Sequence, residues 1–385
     1  MSIEQVEGES QKGFWTKKKI LITSLAFLLT IGLIVLSIIH IAKPINLFTD
    51  VKNALHDHPS MWTGMFTLLV GYIFINFFVL ILPNFLRLRR LGIFLNFKEQ
   101  LLYVLTMMFL KAVTPGALIT EPYTLFWLKT RGVTTAKGTA IVWVNDFIWH
   151  TICVFIAIPS FIIFCIWGPN LFKISGAAGI GVFVLVCIGF SLDVGMFAFF
   201  IFMGSSKHFH YFLSRCFNTV KKWLHLKYHT KSQTQHTYIE KAILQKEAKI
   251  LLTDWKSTGI SLLIYGAGQI LLYSLLFCAL QVTCSDVNKY FSYGHVFNTS
   301  NIVTMANRYL PIPGGEGITQ WELNELLKVK AYSTEVIPPN EAITNGIFTW
   351  RFFSSYLTGA VGLIGFVIVT VKYSIKIKRH NTIIK

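Results

Sequence analysis

The stretch from Asn301 to Glu322 constrains this chain more than any other. It sets Arg308, Pro311, Pro313, Gly314, Gly315, Glu316, Gly317 and Glu322 inside otherwise apolar sequence. Each proline lacks a backbone N–H, and the glycines accept dihedrals that other residues avoid. A helix cannot run through such a segment. At membrane depth, broken backbone persists only where protein covers it or where it lines a wet cavity. The expectation is therefore a broken helix that turns bare N–H and C=O groups toward a ligand; a plain extramembrane turn is the alternative.

That membrane depth is the right setting follows from composition. Of 385 residues, 53% are hydrophobic and only 14% charged, where a soluble domain carries about a quarter charged. The chain reads as an all-α polytopic membrane protein. Its net charge of +17 does not point to nucleic acid, because the Lys and Arg residues cluster beside apolar runs. That pattern belongs to membrane topology and to contact with an anionic lipid surface. Six cysteines without a CxxC pair indicate neither zinc nor a disulfide framework, and His56 and His58 lack a third ligand nearby. No metal and no cofactor is expected.

Apolar runs long enough to cross occur at Ile20–Ile41, Met61–Leu82, Thr139–Trp167, Ile174–Met203, Gly259–Val282 and Ala342–Val371, a crossing needing about 20 residues. Pro83 closes the second, and Gly168-Pro169-Asn170 is expected to turn between the third and fourth. Two further segments are broken into limbs too short to cross: Leu101–Val113 with Ala117–Leu128, and Phe297–Leu310 with Ile318–Val329. Leu101–Leu128 is interrupted at Thr114-Pro115-Gly116, and Phe297–Val329 is interrupted by the opening stretch. With both segments dipping in and returning, 27 of the 35 Lys and Arg residues fall on one side. The positive-inside bias then gives six full spans, two re-entrant hairpins entering from opposite faces, and cytoplasmic N- and C-termini.

The domain plan is a cytoplasmic tail (1–19), a first membrane half (20–203) with hairpin 101–128, and a basic cytoplasmic loop (204–257). A second half (258–371) with hairpin 297–329 and a basic tail (372–385) complete it. Within the loop, Leu244, Ala248, Leu251, Leu252 and Trp255 recur at helical spacing. They predict an amphipathic helix, lying either on the membrane surface or on the protein's own cytoplasmic face.

Broken segments at corresponding places in two halves are the signature of an inverted-repeat transporter, whose half-helix ends meet ligand near the midplane. The candidate substrate-binding residues are Lys111, Thr114, Pro115, Glu121 and Asp146 in the first half. In the second they are Asn307, Arg308, Pro313, Gly314, Gly315, Glu316, Gln320 and Arg351. Charges in apolar segments are costly and face a cavity or a partner. Arg308 and Arg351 suit phosphate oxygens. Glu121, Asp146 and Asp193 are candidates to pair with them or with a cationic head group, or to form structural ion pairs. His150, one turn from Asp146, is read as a packed, hydrogen-bonded residue with a proton relay as the alternative.

Leu86–His150 and Asn301–Leu357 together resemble the transmembrane family of lysylphosphatidylglycerol synthases. The resemblance rests on Thr114-Pro115 with Glu121-Pro122, the basic-Gly turn Lys129-Thr-Arg131-Gly132, Asp146, Pro311-Ile-Pro313-Gly314-Gly315-Glu316-Gly317 and Trp350-Arg351. Three positions depart from the family pattern: Gln320 stands where an acid is usual, Ile119-Thr120 replaces Gly-Gly, and Phe147 replaces an Arg. The resemblance implies a flippase-like, stand-alone member without the aminoacyl-transferase domain, unable to make a lysyl-lipid alone.

The resulting expectation is a plasma-membrane lipid translocase, not an enzyme, that moves a polar-headgroup phospholipid or glycolipid. Two alternatives stand beside it. One is a membrane-embedded enzyme on a lipid-linked substrate with Glu121 or Asp146 as general base. The other is a non-transporting assembly partner.

Overall fold

The computed structural model describes residues 60–383 apart from 115–118, most of 207–242, 285–286, 311, 313–314, 316 and 329–339, and for 372–383 it describes the backbone alone. The first predicted span, Ile20–Ile41, lies outside the described residues, as do Pro115, Pro313, Gly314 and Glu316. All regular structure among the described residues is helical.

Helix α1 (Ser60–Ile73) runs through a π-helical segment, Phe74–Val79, into α2 (Leu80–Arg90). Then come α3 (Phe97–Val113), α4 (Thr120–Lys129) and the bent α5 (Thr135–Ser205). The second half holds α6 (Trp255–Thr283), the short α7 (Val287–Tyr290), α8 (Tyr293–Asn307) and α9 (Ile318–Lys328). It ends with α10 (Asn340–Arg351), a second π segment (Phe352–Leu357) and α11 (Thr358–Ile383). Among the described residues, five helical segments are long and apolar enough to cross a membrane: Trp62–Arg90, Thr135–Gly168, Ser175–Ser205, Trp255–Thr283 and Asn340–Val371. They coincide with the last five of the six predicted runs.

Two expected boundaries move. The helix does not stop at Pro83 but continues to Arg90, burying Arg87. The π segment just before the proline supplies the local adjustment by which membrane helices tolerate that ring. Likewise Gly168-Pro169-Asn170 stays helical, and the reversal falls at Gly176, whose φ of 51° and ψ of −126° break α5. A left-handed φ is open to glycine and strained for a branched side chain, so the chain folds back there and not at the proline.

Both short segments are helical hairpins. In the first, Tyr103 on α3 lies 4.6 Å from the Trp127 ring on α4, and its hydroxyl bonds Thr124 Oγ1 at 2.8 Å. Beyond it, Glu99 and Arg131 approach to 3.6 Å, so the entry and exit of the hairpin stand side by side. In the second, the His295 ring on α8 meets the Leu326 carbonyl on α9 at 3.2 Å, and Asn307 at the other end of α8 bonds Glu322.

Each hairpin sits in its own buried cluster. One gathers Val104, Met108, Trp127, Ile141, Val144 and Tyr265 around the first; the other gathers Phe164, Leu275, Phe291, Ile302, Leu323 and Ile347 around the second. Helix α6 ties the two halves together by packing on both α1 and α10. The hairpins are exchanged: α3 lies along α11 of the second half, and α8 along α5 of the first. Glycine permits both approaches, since a Cβ on Gly362 would strike the Phe109 amide, and one on Gly189 would come 2.5 Å from Ala306 Cα. The amphipathic helix of the basic loop occupies 243–253. It buries Ala248 and Leu251 in the first cluster and leaves Ile243 and Ile250 exposed, while Trp255, expected on the same helix, begins α6 instead and is exposed there. It thus packs on the protein and still presents apolar side chains outward.

Candidate functional site

The site is built at the two hairpin tips. Thr114 ends α3 with φ −110° and ψ 136°, the extended geometry that a following proline imposes on its neighbour. Its hydroxyl donates to the Leu110 carbonyl at 2.6 Å, so the side chain caps its own helix. Helix α4 begins with Thr120, whose hydroxyl donates to Glu121 Oε1 at 2.8 Å, and an acid in this first turn complements the helix dipole. Lys111 and Glu121 are exposed while Leu110, Val113 and Thr120 beside them are buried. Asp146, half-buried on α5, completes a charged triplet whose members lie within electrostatic range of one another. His150 turns its Nδ1 to the Asp146 carbonyl at 2.8 Å and packs its ring on Phe200.

At the second tip, α8 ends at Asn307, and Gly315 and Gly317 follow with φ of 66° and 81°. Here the two glycines are required by conformation, because both lie in the left-handed region. The Gly317 N–H donates to Gln320 Oε1 at 2.7 Å, and Thr319 donates its hydroxyl to the Gly315 carbonyl at 2.8 Å. Gln320 thus reaches back to cap the start of α9, as the third residue of a capping box does. An amide performs this as well as a carboxylate, which accounts for the departure from the family pattern at that position.

Against this tip lies a cavity of about 220 Å³ lined by Asn307, Arg308, Gly315, Thr319, Arg351 and Ser355, among others. Its volume far exceeds the roughly 10–15 Å³ that admits a water, so it has room for water or for a polar group of a ligand. Arg351 is 5% exposed, donates from Nη1 to Ser355 Oγ at 3.1 Å and lies 5.3 Å from the Trp350 ring. The π segment starts at the next residue and brings Ser354 and Ser355 to the cavity wall. On its other side Phe353 stacks on Tyr72, ring centroids 6.2 Å apart. Arg308 also lines the cavity, but its Nη1 lies 2.7 Å from each oxygen of Asp193, which takes a third bond from the Tyr309 hydroxyl at 2.7 Å. Asp193 is 1% exposed, and it is Arg308's structural partner.

The candidates of the sequence therefore divide. Asn307, Arg308, Gly315 and Arg351 meet at the cavity. Lys111, Glu121 and Asp146 form a separate cluster at the first tip. Thr114 and Gln320 bond the backbone. Asp146 and Arg351 each lie on the helix that follows a hairpin, α5 and α10 respectively. Sequence reasoning missed Glu322, which is fully buried, and Arg87, 1% exposed and bonded to Asn145 and the Pro83 carbonyl. Glu322 was findable: with Thr319, Leu323 and Leu326 it falls on the buried stripe of α9 at helical spacing. Ser354 and Ser355 carried no such signal, because a π turn is not written in periodicity.

Comparison with known proteins agrees with this architecture. Residues 24–323 match the model of the lysylphosphatidylglycerol synthase TM region. The chain is 26% identical over 364 residues to the uncharacterized protein MG306 of Mycoplasma genitalium, covering 92% of this chain and 90% of that one. It is 25% identical over 380 residues to the MG306 homolog of Mycoplasma pneumoniae, covering 96% and 93%. No solved structure matches.

Proposed function

Given that this chain belongs to the lysylphosphatidylglycerol synthase transmembrane family, we propose that it is a lipid translocase and not an enzyme. Its substrate is a phospholipid or glycolipid with a polar head group, carried across the plasma membrane. In this reading both hairpins are re-entrant, there are six full spans, and the termini are cytoplasmic. The basic loop and the exposed Ile250 and Trp255 rest on the anionic inner leaflet. The pairing of Glu99 with Arg131 at the mouth of the first hairpin supports a segment that returns to the face it entered.

One observation carries the proposal: a cavity in which the broken tip at Gly315 faces the buried guanidinium of Arg351. Taking a head group through hydrocarbon strips its water, which costs several kcal/mol for each unsatisfied polar group. A fixed guanidinium, the serine hydroxyls and the N-terminal end of α9 replace that water around a phosphate. The acyl chains remain in lipid, so only the head group needs such a path. Asp146 in the first half, with Glu121, receives the head group's cationic part where it has one.

The test is a flip assay in vesicles reconstituted with the purified protein and a fluorescent-headgroup phospholipid. Arg351→Ala is expected to abolish protein-dependent movement while leaving Tm within a few degrees. Arg351→Lys is expected not to restore it, because an ammonium cannot fork onto two oxygens. Movement at the wild-type rate in Arg351→Ala would sink the proposal.

A further inference from the structure

Glu322 has no role in the reading above, yet among the described residues it is the least accessible charged side chain in the second hairpin. Its relative exposure is 0%, and it lies on α9 between the buried Thr319 and Leu326. Its one hydrogen bond is to the Asn307 amide, which donates Nδ2 to Oε2 and to the Val303 carbonyl. Glu322 Oε1 and Asn307 Oδ1 are both buried without a hydrogen-bond donor. Two acceptor oxygens thus lack a donor on a pair of side chains that bond one another near the tip of a broken helix.

No described cation answers them. Charged and titratable groups on the elements packed around α9 are the Arg308–Asp193 pair with Tyr309, Glu341 and Arg351 on α10, Tyr293 and His295 on α8, and, besides Asp193, Lys137, Asp146, His150, Lys173 and the cysteines Cys153, Cys165 and Cys187 on α5. On α9 itself they are Glu325 and Lys328. Arg308 is engaged by Asp193, Lys328 by Glu325 at 3.3 Å, and His295 by the Leu326 carbonyl. Arg351 approaches Gly315 and bonds Ser355, and no ion pair to Glu322 is present among the described residues. An isolated carboxylate removed from water is penalised by several kcal/mol, so it takes up a proton or holds a cation. Broken membrane helices place such ions where unwound backbone leaves oxygens unpaired.

We propose that Glu322, with Asn307 Oδ1 beside it, is a binding site for a monovalent cation, H⁺ or Na⁺, that neutralises the carboxylate at the second hairpin tip. The proposal rests on the reading of that hairpin as membrane-embedded. Because Asn307 lines the cavity and also holds Glu322, occupancy of the ion site reaches the lipid site through one side chain. The ion is then the source of drive for a protein that moves lipid against a gradient.

The test needs no transport. The purified full chain is treated with dicyclohexylcarbodiimide, which reacts with protonated carboxyls in apolar surroundings, from about pH 5 to about pH 9. Sodium or choline chloride is present, and adducts are mapped by peptide mass spectrometry. Glu322 labelling is expected to fall by about tenfold per pH unit on the alkaline side. Insensitivity to Na⁺ identifies the proton, and suppression by Na⁺ but not choline identifies sodium. Glu322→Gln keeps the shape and the Asn307 contact, so the variant reports through stability as well. A carboxyl that binds more protons folded than unfolded makes wild-type Tm fall with rising pH, and the variant's should not. Labelling independent of both pH and Na⁺, or no labelling at any pH, overturns the proposal. Lost lipid movement with labelling intact overturns the translocase reading instead and leaves the ion site standing.

Discussion

Replacing Asp193 with asparagine tests the division of labour between the two cavity arginines. Asp193 is 1% exposed and Arg308 16%, and one Arg308 nitrogen stands 2.7 Å from both carboxylate oxygens. Removing one partner of a buried pair costs about 3–5 kcal/mol, mostly from stranding the other charge. Arg308 lines a cavity and is partly exposed, which softens that penalty, so the lower end applies: about 3 kcal/mol. At roughly 2 °C per kcal/mol for a large chain, Tm should fall by about 6 °C in Asp193→Asn. Arg308→Gln should cost a similar amount, since it strands Asp193. The double variant Asp193→Asn/Arg308→Gln leaves no uncompensated charge and should recover more than half of either loss, so it loses less than about 1.5 kcal/mol where additivity gives about 6, a coupling of about 4.5 kcal/mol or more. Thermal unfolding of the four proteins in one detergent completes the cycle. Additive losses in the double variant would show that the pair is not what holds α5 to the second tip, and Arg308 would return as a free phosphate ligand.

Two further outcomes follow from packing and capping. Gly362→Leu should destabilise by at least about 1–3 kcal/mol because its side chain has no space against the Phe109 backbone; Gly259→Ala, whose Cβ meets open space, should be neutral or slightly stabilising in the same thermal assay. Gln320→Ala should lose about 1 kcal/mol by uncapping the Gly317 N–H, whereas Gln320→Glu should stay within a few tenths, as read from Tm.

Periodicity and the prolines made much of this architecture legible. Five apolar runs fall on the five long helices, and Thr114-Pro115 and the glycines at 315 and 317 mark where the short ones stop. Arg351 and Gly315 came from the cost of a charge in an apolar helix and from the backbone freedom of glycine, and the structure brings them together. What failed were inferences from single residues without their neighbours. Pro83 reads as a stop, but the π turn ahead of it lets the helix continue. Pro169 reads as a turn, yet the chain waits for Gly176. Gln320 reads as a candidate ligand, and its backbone partner, three residues away, is visible only in three dimensions. Asp193 and Arg308 are 115 positions apart, beyond any local pattern.

The π segment Phe352–Leu357 fixes the rotational phase between Arg351 above it and α11 below, along which α3 is laid. A π turn holds one residue more than an α turn, and one residue is about 100° of rotation and about 1.5 Å of rise. Deleting a single residue there would tighten the coil and swing the guanidinium to a new bearing relative to the first hairpin. The surplus residue therefore acts as a vernier, setting the two hairpin tips in register through one continuous helix.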